Sequence, residues 1–130
     1  MEMFYPTGAG RAVMVVVIDD EKVSRKALAK LLAQNGFTSE TFESADEAIG
    51  VLSQGHAPDL ALVDLDMPGR SGAEMLTFLS KNAPHTRPVL ITAAEKERIS
   101  KLGLAHVSYL RKPIDFNDLM SLLTNAPALN

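Results

Sequence analysis

The sequence predicts an α/β fold of five strand–helix repeats, (βα)5, in which a five-stranded parallel sheet is wrapped by helices. Three observations lead there. From Ala12 onward, short apolar runs alternate with segments of helical period, the order expected of βα units. The first run, Val13 to Ile18, is continuously apolar and mostly β-branched, as a strand covered on both faces should be. The chain has 130 residues, 46% of them apolar and 22% charged, which suits one domain and leaves little room for a second.

Taken in order, Val13 to Ile18 is the first strand. The helix after it is expected to bury a stripe of Val23, Ala27, Leu28, Leu31 and Leu32 and to stop at Asn35-Gly36, a favourable C-terminal pair. Thr38 to Phe42 is a more polar strand, which suggests a sheet edge. Ser44 and Glu47 have capping-box spacing, and Ala48, Ile49 and Leu52 supply the buried face of a second helix. Leu60 to Val63 is the third strand and ends at Asp64. Pro68, Gly69 and Gly72 mark a loop, with Ser71 and Glu74 again spaced as a capping box ahead of inward Leu76 and Leu79. Pro88 opens a fourth strand, Val89 to Ile91, ending at Thr92; a short helix from Glu95 to Leu102 stops at Gly103. Val107 to Leu110 is the fifth strand, and Asp115 caps an amphipathic helix carrying Phe116, Leu119, Met120 and Leu123. Residues 1–11, with Pro6, Gly8 and Gly10, read as a flexible lead-in, 12–125 as the domain and 126–130 as a short tail.

Charge and composition exclude several functions. Thirteen Lys and Arg against sixteen Asp and Glu give a net charge of −3, so no basic excess exists to neutralise a nucleic-acid backbone directly. The absence of cysteine removes disulfides, thiolate metal sites and thiol catalysis. The longest apolar run, Ala12 to Ile18, is too short to cross a bilayer, and the chain is expected to be soluble and cytoplasmic, with no membrane partner. His56, His85 and His106 share no ligand pattern, and Gly8-Ala9-Gly10 precedes a strand whereas a dinucleotide loop follows one.

Chemistry concentrates where strands end. Ligands of an open parallel sheet bind beyond the carboxyl ends of its strands. Asp19 and Asp20 close the first strand, Asp64 the third and Thr92 the fourth, while Lys112 follows the fifth. Carboxylates about 4 Å apart repel by roughly 4 kcal/mol at an effective dielectric of 20, so a counter-charge is required. Lys112 is one, and a divalent ion such as Mg²⁺ is another. Carboxylates, a hydroxyl, a lysine and Mg²⁺ are the parts of a phosphoryl-transfer site, for which Asp64 can serve as nucleophile.

Val17-Ile18-Asp19-Asp20-Glu21, then Leu62-Val63-Asp64-Leu65-Asp66-Met67-Pro68 with Ser71-Gly72, then Ile91-Thr92-Ala93, then Tyr109-Leu110-Arg111-Lys112-Pro113 resemble the receiver domain of two-component response regulators. The resemblance covers about Val13 to Thr124 and implies a flavodoxin-like, doubly wound sheet of strand order 2-1-3-4-5. It further implies Asp64 as phosphoacceptor, with Mg²⁺ (or Mn²⁺) held by the Asp20 and Asp64 side chains and the Asp66 backbone carbonyl, and Asp19 acting indirectly. Lys112 and Thr92 would contact phosphoryl oxygens, Thr92 and Tyr109 would form the switch, and the Lys112–Pro113 peptide would be cis. The implied partners are a sensor histidine kinase or phosphotransfer protein as donor and a downstream effector. Such a domain is not an enzyme beyond its own aspartyl phosphorylation and dephosphorylation.

Two other readings compete. Asp64-Leu65-Asp66 is also similar to the nucleophile and acid pair of haloacid-dehalogenase-like phosphatases, although it lies on the third strand instead of the first. A phosphorylation-independent interaction module is the third, disfavoured by the intact acidic set. Within the receiver pattern, Thr92 and Lys112 are 20 residues apart, slightly closer than usual, and Asp66 and Ala94, two residues past Asp64 and Thr92, occupy positions that tune dephosphorylation in relatives; separately, Asp115 to Asn130 contains no Lys or Arg. The latter predicts no charge-paired dimer through the last helix.

Overall fold

The computed structural model describes residues 13–55 and 57–125. The lead-in 1–11, the tail 126–130 and His56 lie outside the described residues. Ten elements alternate along the chain: β1 (Met14–Ile18), α1 (Lys22–Gln34), β2 (Thr38–Phe42), α2 (Ala45–Leu52), β3 (Leu60–Asp64), α3 (Gly72–Asn82), β4 (Arg87–Thr92), α4 (Lys96–Lys101), β5 (Ser108–Arg111) and α5 (Phe116–Asn125). The strands form one parallel sheet in the order β2-β1-β3-β4-β5. β3 is central and wholly buried, as its sequence Leu-Ala-Leu-Val demands, whereas the polar β2 sits at an edge with Thr38, Glu40 and Thr41 exposed and Phe42 buried.

Side chains alternate across the sheet and so build two cores. Val16, Ile18, Val63 and Leu90 face α2 and α3, where Ala48, Met75 and Leu79 pack on them. Val15, Val17, Leu62 and Ile91 face α1 and α5, through Leu28, Leu32, Leu119 and Leu123. Each fully buried aliphatic side chain contributes about 1.5–3 kcal/mol relative to exposure, so truncating Leu62 to Ala in the middle of β3 is the kind of change the sheet tolerates least.

Local signals set the helix ends. Ser71 Oγ accepts the Glu74 N–H at 3.3 Å while Glu74 accepts the Ser71 N–H at 2.8 Å, a complete capping box on α3. On α2 the Ser44 half forms, but Glu47 reaches one residue further back, to the Glu43 N–H at 2.9 Å. Asp115 accepts the Asp118 N–H at 3.0 Å at the start of α5. Gly36 and Gly103 end α1 and α4 with positive φ, where a side chain would be strained.

Three expectations need correcting. Val23 is 79% exposed and Ala27 is exposed too, because the sheet-facing stripe of α1 centres on Leu28 and Leu32. Phe116 is likewise exposed at the first turn of α5, leaving Leu119 and Leu123 as its buried residues. β4 begins at Arg87, ahead of the proline, while β5 is shifted one residue along from Val107–Leu110. β5 pairs with β4 only from Val89 onward, so Pro88 lies where β4 has one strand neighbour and its missing N–H breaks no ladder on that side.

Candidate functional site

The carboxyl ends of β1, β3, β4 and β5 meet in one shallow crevice. Asp19, immediately after β1, is 0% exposed, and Asp20 turns to solvent. The Asp19 backbone is fixed on both sides: its N–H donates to the Phe42 carbonyl at 3.0 Å, and its carbonyl accepts from Arg25 Nη1 at 2.9 Å. Its Oδ1 accepts the Glu21 N–H at 2.9 Å. Asp64 ends β3 and is also buried; its Oδ1 accepts the Asp66 N–H at 3.1 Å. From beyond β5, Lys112 Nζ reaches into the crevice, 3.2 Å from Asp19 Oδ2, 3.4 Å from Asp64 Oδ2 and 3.5 Å from Glu21 Oε1. The Lys112 N–H donates to the Thr92 carbonyl at 2.8 Å, and the Lys112–Pro113 peptide is cis.

These contacts divide the charge unequally. Burial, and then the hydrogen bond shared with Asp19, push the Asp64 carboxyl up to about 7, against the pull of Lys112. Burial also acts against the Asp19 charge, but the Glu21 N–H, the Ser24 hydroxyl, Asp64 and Lys112 outweigh it and hold that carboxyl below its usual range. The two neighbouring carboxyls are thus pushed in opposite directions, Asp64 toward its protonated form and Asp19 toward its anion. For Lys112, desolvation disfavours the ammonium, yet Asp64 and Asp19 more than offset it and raise its pKa.

Asp19, Asp20 and Asp64 each offer a carboxylate oxygen, and the three oxygens lie within 4.8 Å of one another. Asp19 Oδ2 is buried and accepts no hydrogen bond, its charge being met by the Lys112 ammonium at 3.2 Å. This all-oxygen, anionic donor set fits a small hard divalent cation.

The remaining expected residues flank this cluster. Thr92 is buried, and its Oγ1 accepts the Ala94 N–H at 2.9 Å, leaving the hydroxyl proton free to donate. Leu90, two residues earlier on β4, is in register with Tyr109, so Thr92 and half-buried Tyr109 share one face of the sheet. The Asp66 side chain turns away from the cluster and forms a two-pronged pair with Arg98 of α4, at 2.9 and 2.6 Å. His85 and His106 are exposed and lie away from the crevice.

Four residues have roles at the site that the sequence did not announce. Glu21 curls back to Lys112, and Arg25 sits one turn along α1 where it reaches the Asp19 carbonyl. Arg98 is 32 residues from Asp66, and no local pattern announces the pair. Gly72 lies against the strand end: a Cβ there would strike the Asp64 carbonyl oxygen and stand 2.7 Å from Leu65 Cα. The Gly-Ser context of that loop hinted at a turn, but only the packing reveals the close approach.

Comparison with known proteins agrees with this geometry. Residues 15–124 match the response regulator receiver domain family. The DNA-binding transcriptional regulator NtrC of Salmonella typhimurium is 32% identical over 116 residues, covering 87% of this chain and 24% of that protein. The photosynthetic apparatus regulatory protein RegA of Cereibacter sphaeroides is 29% identical over 124 residues, covering 94% and 66%. The chain therefore spans less than two-thirds of the length of either relative. A response regulator receiver domain from Clostridium thermocellum superposes with a TM-score of 0.79 at 27% identity, over 89% of this chain and 94% of that one. A CheY-like receiver from Methanospirillum hungatei has the same fold, with a TM-score of 0.80 at 20% identity over 91% and 95%. With the family matched across almost all described residues, and the sheet order of its solved members reproduced, this chain belongs to the response regulator receiver domains of two-component signalling.

Proposed function

We propose that this domain is a phosphorylation switch in which Asp64 accepts a phosphoryl group from the phosphohistidine of a sensor histidine kinase or phosphotransfer protein. The observation that carries this reading is the setting of Asp64 itself. It is a buried carboxylate at the end of the central strand, with Lys112 at 3.4 Å and two further carboxylates beside it. A structural carboxylate needs no such company; a nucleophile that must receive a phosphoryl group does.

An Asp64 carboxylate oxygen attacks phosphorus as the phosphorus–nitrogen bond of the donor breaks, and the electron pair leaves with the imidazole, which takes up a proton. Lys112 donates to one phosphoryl oxygen, and the Thr92 hydroxyl, whose oxygen is already anchored by the Ala94 N–H, donates to another. Mg²⁺ or Mn²⁺, held by the Asp20 and Asp64 side chains and the Asp66 carbonyl with Asp19 acting indirectly, would supply the charge that neutralises the transferring group. The product adds roughly −1.5 to −2 charges by analogy with other phosphorylated side chains. Thr92 and Tyr109, on one face of the sheet, relay that charge to a partner-binding surface and a downstream effector. The domain turns over only its own aspartyl phosphate.

The corrected α1 supports one docking place for the donor. Val23, Ala27 and Leu31 line a mainly apolar groove that runs to Ala93, Lys112 and Ile114 at the edge of the crevice. An amphipathic helix of the donor fits such a groove while presenting its phosphohistidine to Asp64. The phosphatase alternative needs Asp66 as a proton donor to the leaving group, yet the Arg98 hydrogen bonds hold that carboxyl below its usual range and point it elsewhere.

Intact mass before and after incubation with acetyl phosphate and Mg²⁺ tests the proposal. One phosphoryl group should be gained by the native chain and none by Asp64→Asn. Full-stoichiometry labelling of that variant would refute the assignment.

A further inference from the structure

We propose that Arg25 is a positioning residue for the acid cluster: by holding the peptide that joins Asp19 to Asp20, it sets the direction in which Asp20 presents its carboxylate. The proposal rests on the reading that Asp20 and Asp64 hold the cation. It adds a residue of α1 that touches neither the cation nor the phosphoryl group.

The start of α1 breaks the local rules of a helix. Its N-cap residue, Glu21, makes no side-chain cap bond, its first turn carries no acid, and Lys22 and Arg25 place cations near the positive end of the helix dipole. Each choice is mildly unfavourable for the helix, so a demand other than helix stability accounts for the arginine. Lys22, Lys26 and Lys30 of the same helix are exposed, whereas Arg25 is half-buried and reaches the end of β1.

The target of Arg25 is one particular peptide group. Its Nη1 donates at 2.9 Å to the Asp19 carbonyl oxygen, which belongs to the peptide between Asp19 and Asp20. The peptide before Asp19 is held separately, by the bond from its N–H to the Phe42 carbonyl at 3.0 Å, and the Asp19 side chain is held by the Glu21 N–H at 2.9 Å. Asp19 thus keeps its place without the arginine. Asp20 does not: it is exposed, and among the described residues no hydrogen bond holds its side chain. A peptide is a rigid plane, so turning the one between the two acids swings the Asp20 side chain with it. The orientation of that plane therefore governs whether an Asp20 oxygen stays within 4.8 Å of those of Asp19 and Asp64.

Charge and position make opposite predictions for this residue. A guanidinium near three carboxylates repels a divalent cation, so an Arg25 that acted only through its charge would tighten Mg²⁺ binding when removed. An Arg25 that orients Asp20 weakens binding when removed.

The test measures Mg²⁺ affinity by calorimetry on the metal-free protein, and acetyl phosphate labelling as a function of Mg²⁺, in wild type, Arg25→Met, Arg25→Lys and Lys26→Met. Arg25→Met should weaken Mg²⁺ binding roughly three- to tenfold, the worth of one hydrogen bond. The Mg²⁺ concentration giving half-maximal labelling should rise by the same factor, with the rate at saturating Mg²⁺ restored to that of wild type. Arg25→Lys keeps a donor and the charge, and should recover most of the loss. Lys26→Met removes a neighbouring exposed charge and should not weaken binding. Amide exchange at Asp20 and Glu21 should quicken in Arg25→Met and return toward wild type in Arg25→Lys, a readout independent of phosphorylation. Unchanged or tighter Mg²⁺ binding in Arg25→Met would overturn the proposal. So would an equal loss in Arg25→Lys, or labelling that stayed slow at saturating Mg²⁺, the mark of a general packing defect. A wild type that bound Mg²⁺ but took up no phosphoryl group would strike at Asp64 as acceptor, while the calorimetry would still decide the role of Arg25; a wild type that bound no Mg²⁺ would overturn both.

Discussion

Lys112 Nζ stands 3.2 Å from Asp19 Oδ2, a buried carboxylate oxygen that accepts no hydrogen bond. The ammonium is thus the charge partner of that oxygen, and it touches Asp64 from the same position. Replacing Lys112 with Met keeps the stem and deletes the charge. Removing one partner from a buried ionic cluster costs about 3–5 kcal/mol, and here the loss should be smaller, about 1–3 kcal/mol at pH 8, because Asp64 can escape by holding its proton. Urea titrations at pH 8 and pH 5 check this: the deficit should shrink at pH 5, and phosphorylation should be lost at both.

The acidity of Asp64 gives a pH dependence of stability with a definite sign. Its folded-state pKa is raised from 3.8 to about 7, so between those values the folded protein binds more protons than the unfolded chain. Stability from this group is therefore full below about pH 4 and is lost as pH rises through about 7. Asp19, held low, acts in the opposite sense and only in acid, so the window from pH 4 to 7 reports on Asp64. In buffer with EDTA, thermal unfolding should shift downward across that window. Asp64→Asn should flatten the curve and raise stability at pH 8, and a curve unchanged by that substitution would contradict the protonation of Asp64.

Metal binding should run against that proton. A cation seated among Asp19, Asp20 and Asp64 requires Asp64 ionised, so Mg²⁺ affinity should rise with pH up to about 7 and binding should release a proton. Calorimetry in two buffers of different ionisation enthalpy measures that release. Asp20→Ala should weaken Mg²⁺ binding by at least tenfold, about 1.4 kcal/mol, with little effect on apo stability since Asp20 is exposed. Glu21→Gln, which loosens only a 3.5 Å contact to Lys112, should leave the affinity within a few fold.

Gly72→Ala should damage the site without touching a charge. The added methyl would meet the Asp64 carbonyl and Leu65 Cα, backbone atoms that cannot move without shifting the end of β3. Overpacking of this kind costs about 1–3 kcal/mol, and the displaced acceptor should be phosphorylated at least tenfold more slowly. A melting curve and a labelling time course together distinguish local displacement from global unfolding. Gly69→Ala, where a side chain finds open space but a positive φ, should lower stability and leave the acceptor in place.

How far the sequence revealed this molecule depends on whether a feature is local. The wholly buried β3, the Ser71–Glu74 capping box and the Asn35-Gly36 stop are each written in neighbouring residues, and each is where those residues indicate. The meeting of Asp19, Asp20, Asp64 and Lys112 was legible through topology, since residues at strand ends of a parallel sheet gather at one edge. What stayed hidden depends on rotation and reach. Val23 and Ala27 have the spacing of a buried stripe, but a small turn of α1 places them on a groove instead. The Asp66–Arg98 pair joins two exposed side chains whose sequence context is ordinary, and only their spatial proximity gives them a role.

The placement of Lys112 just after the last strand has a consequence for how the domain is made. A chain emerging N-terminus first exposes Asp19, Asp20 and Asp64 well before the lysine, which follows Asp64 by 48 residues. In that interval β1 and β3 can already pair and draw the carboxylates together, with repulsion and no ammonium to answer it. Repulsion among these anions should thus disfavour the half-made sheet until the final strand adds its ladder to β4 and the lysine that follows it. A nascent chain stalled between β4 and β5 should accordingly be digested by protease faster than its buried area alone would suggest, and added Mg²⁺ should slow the digestion.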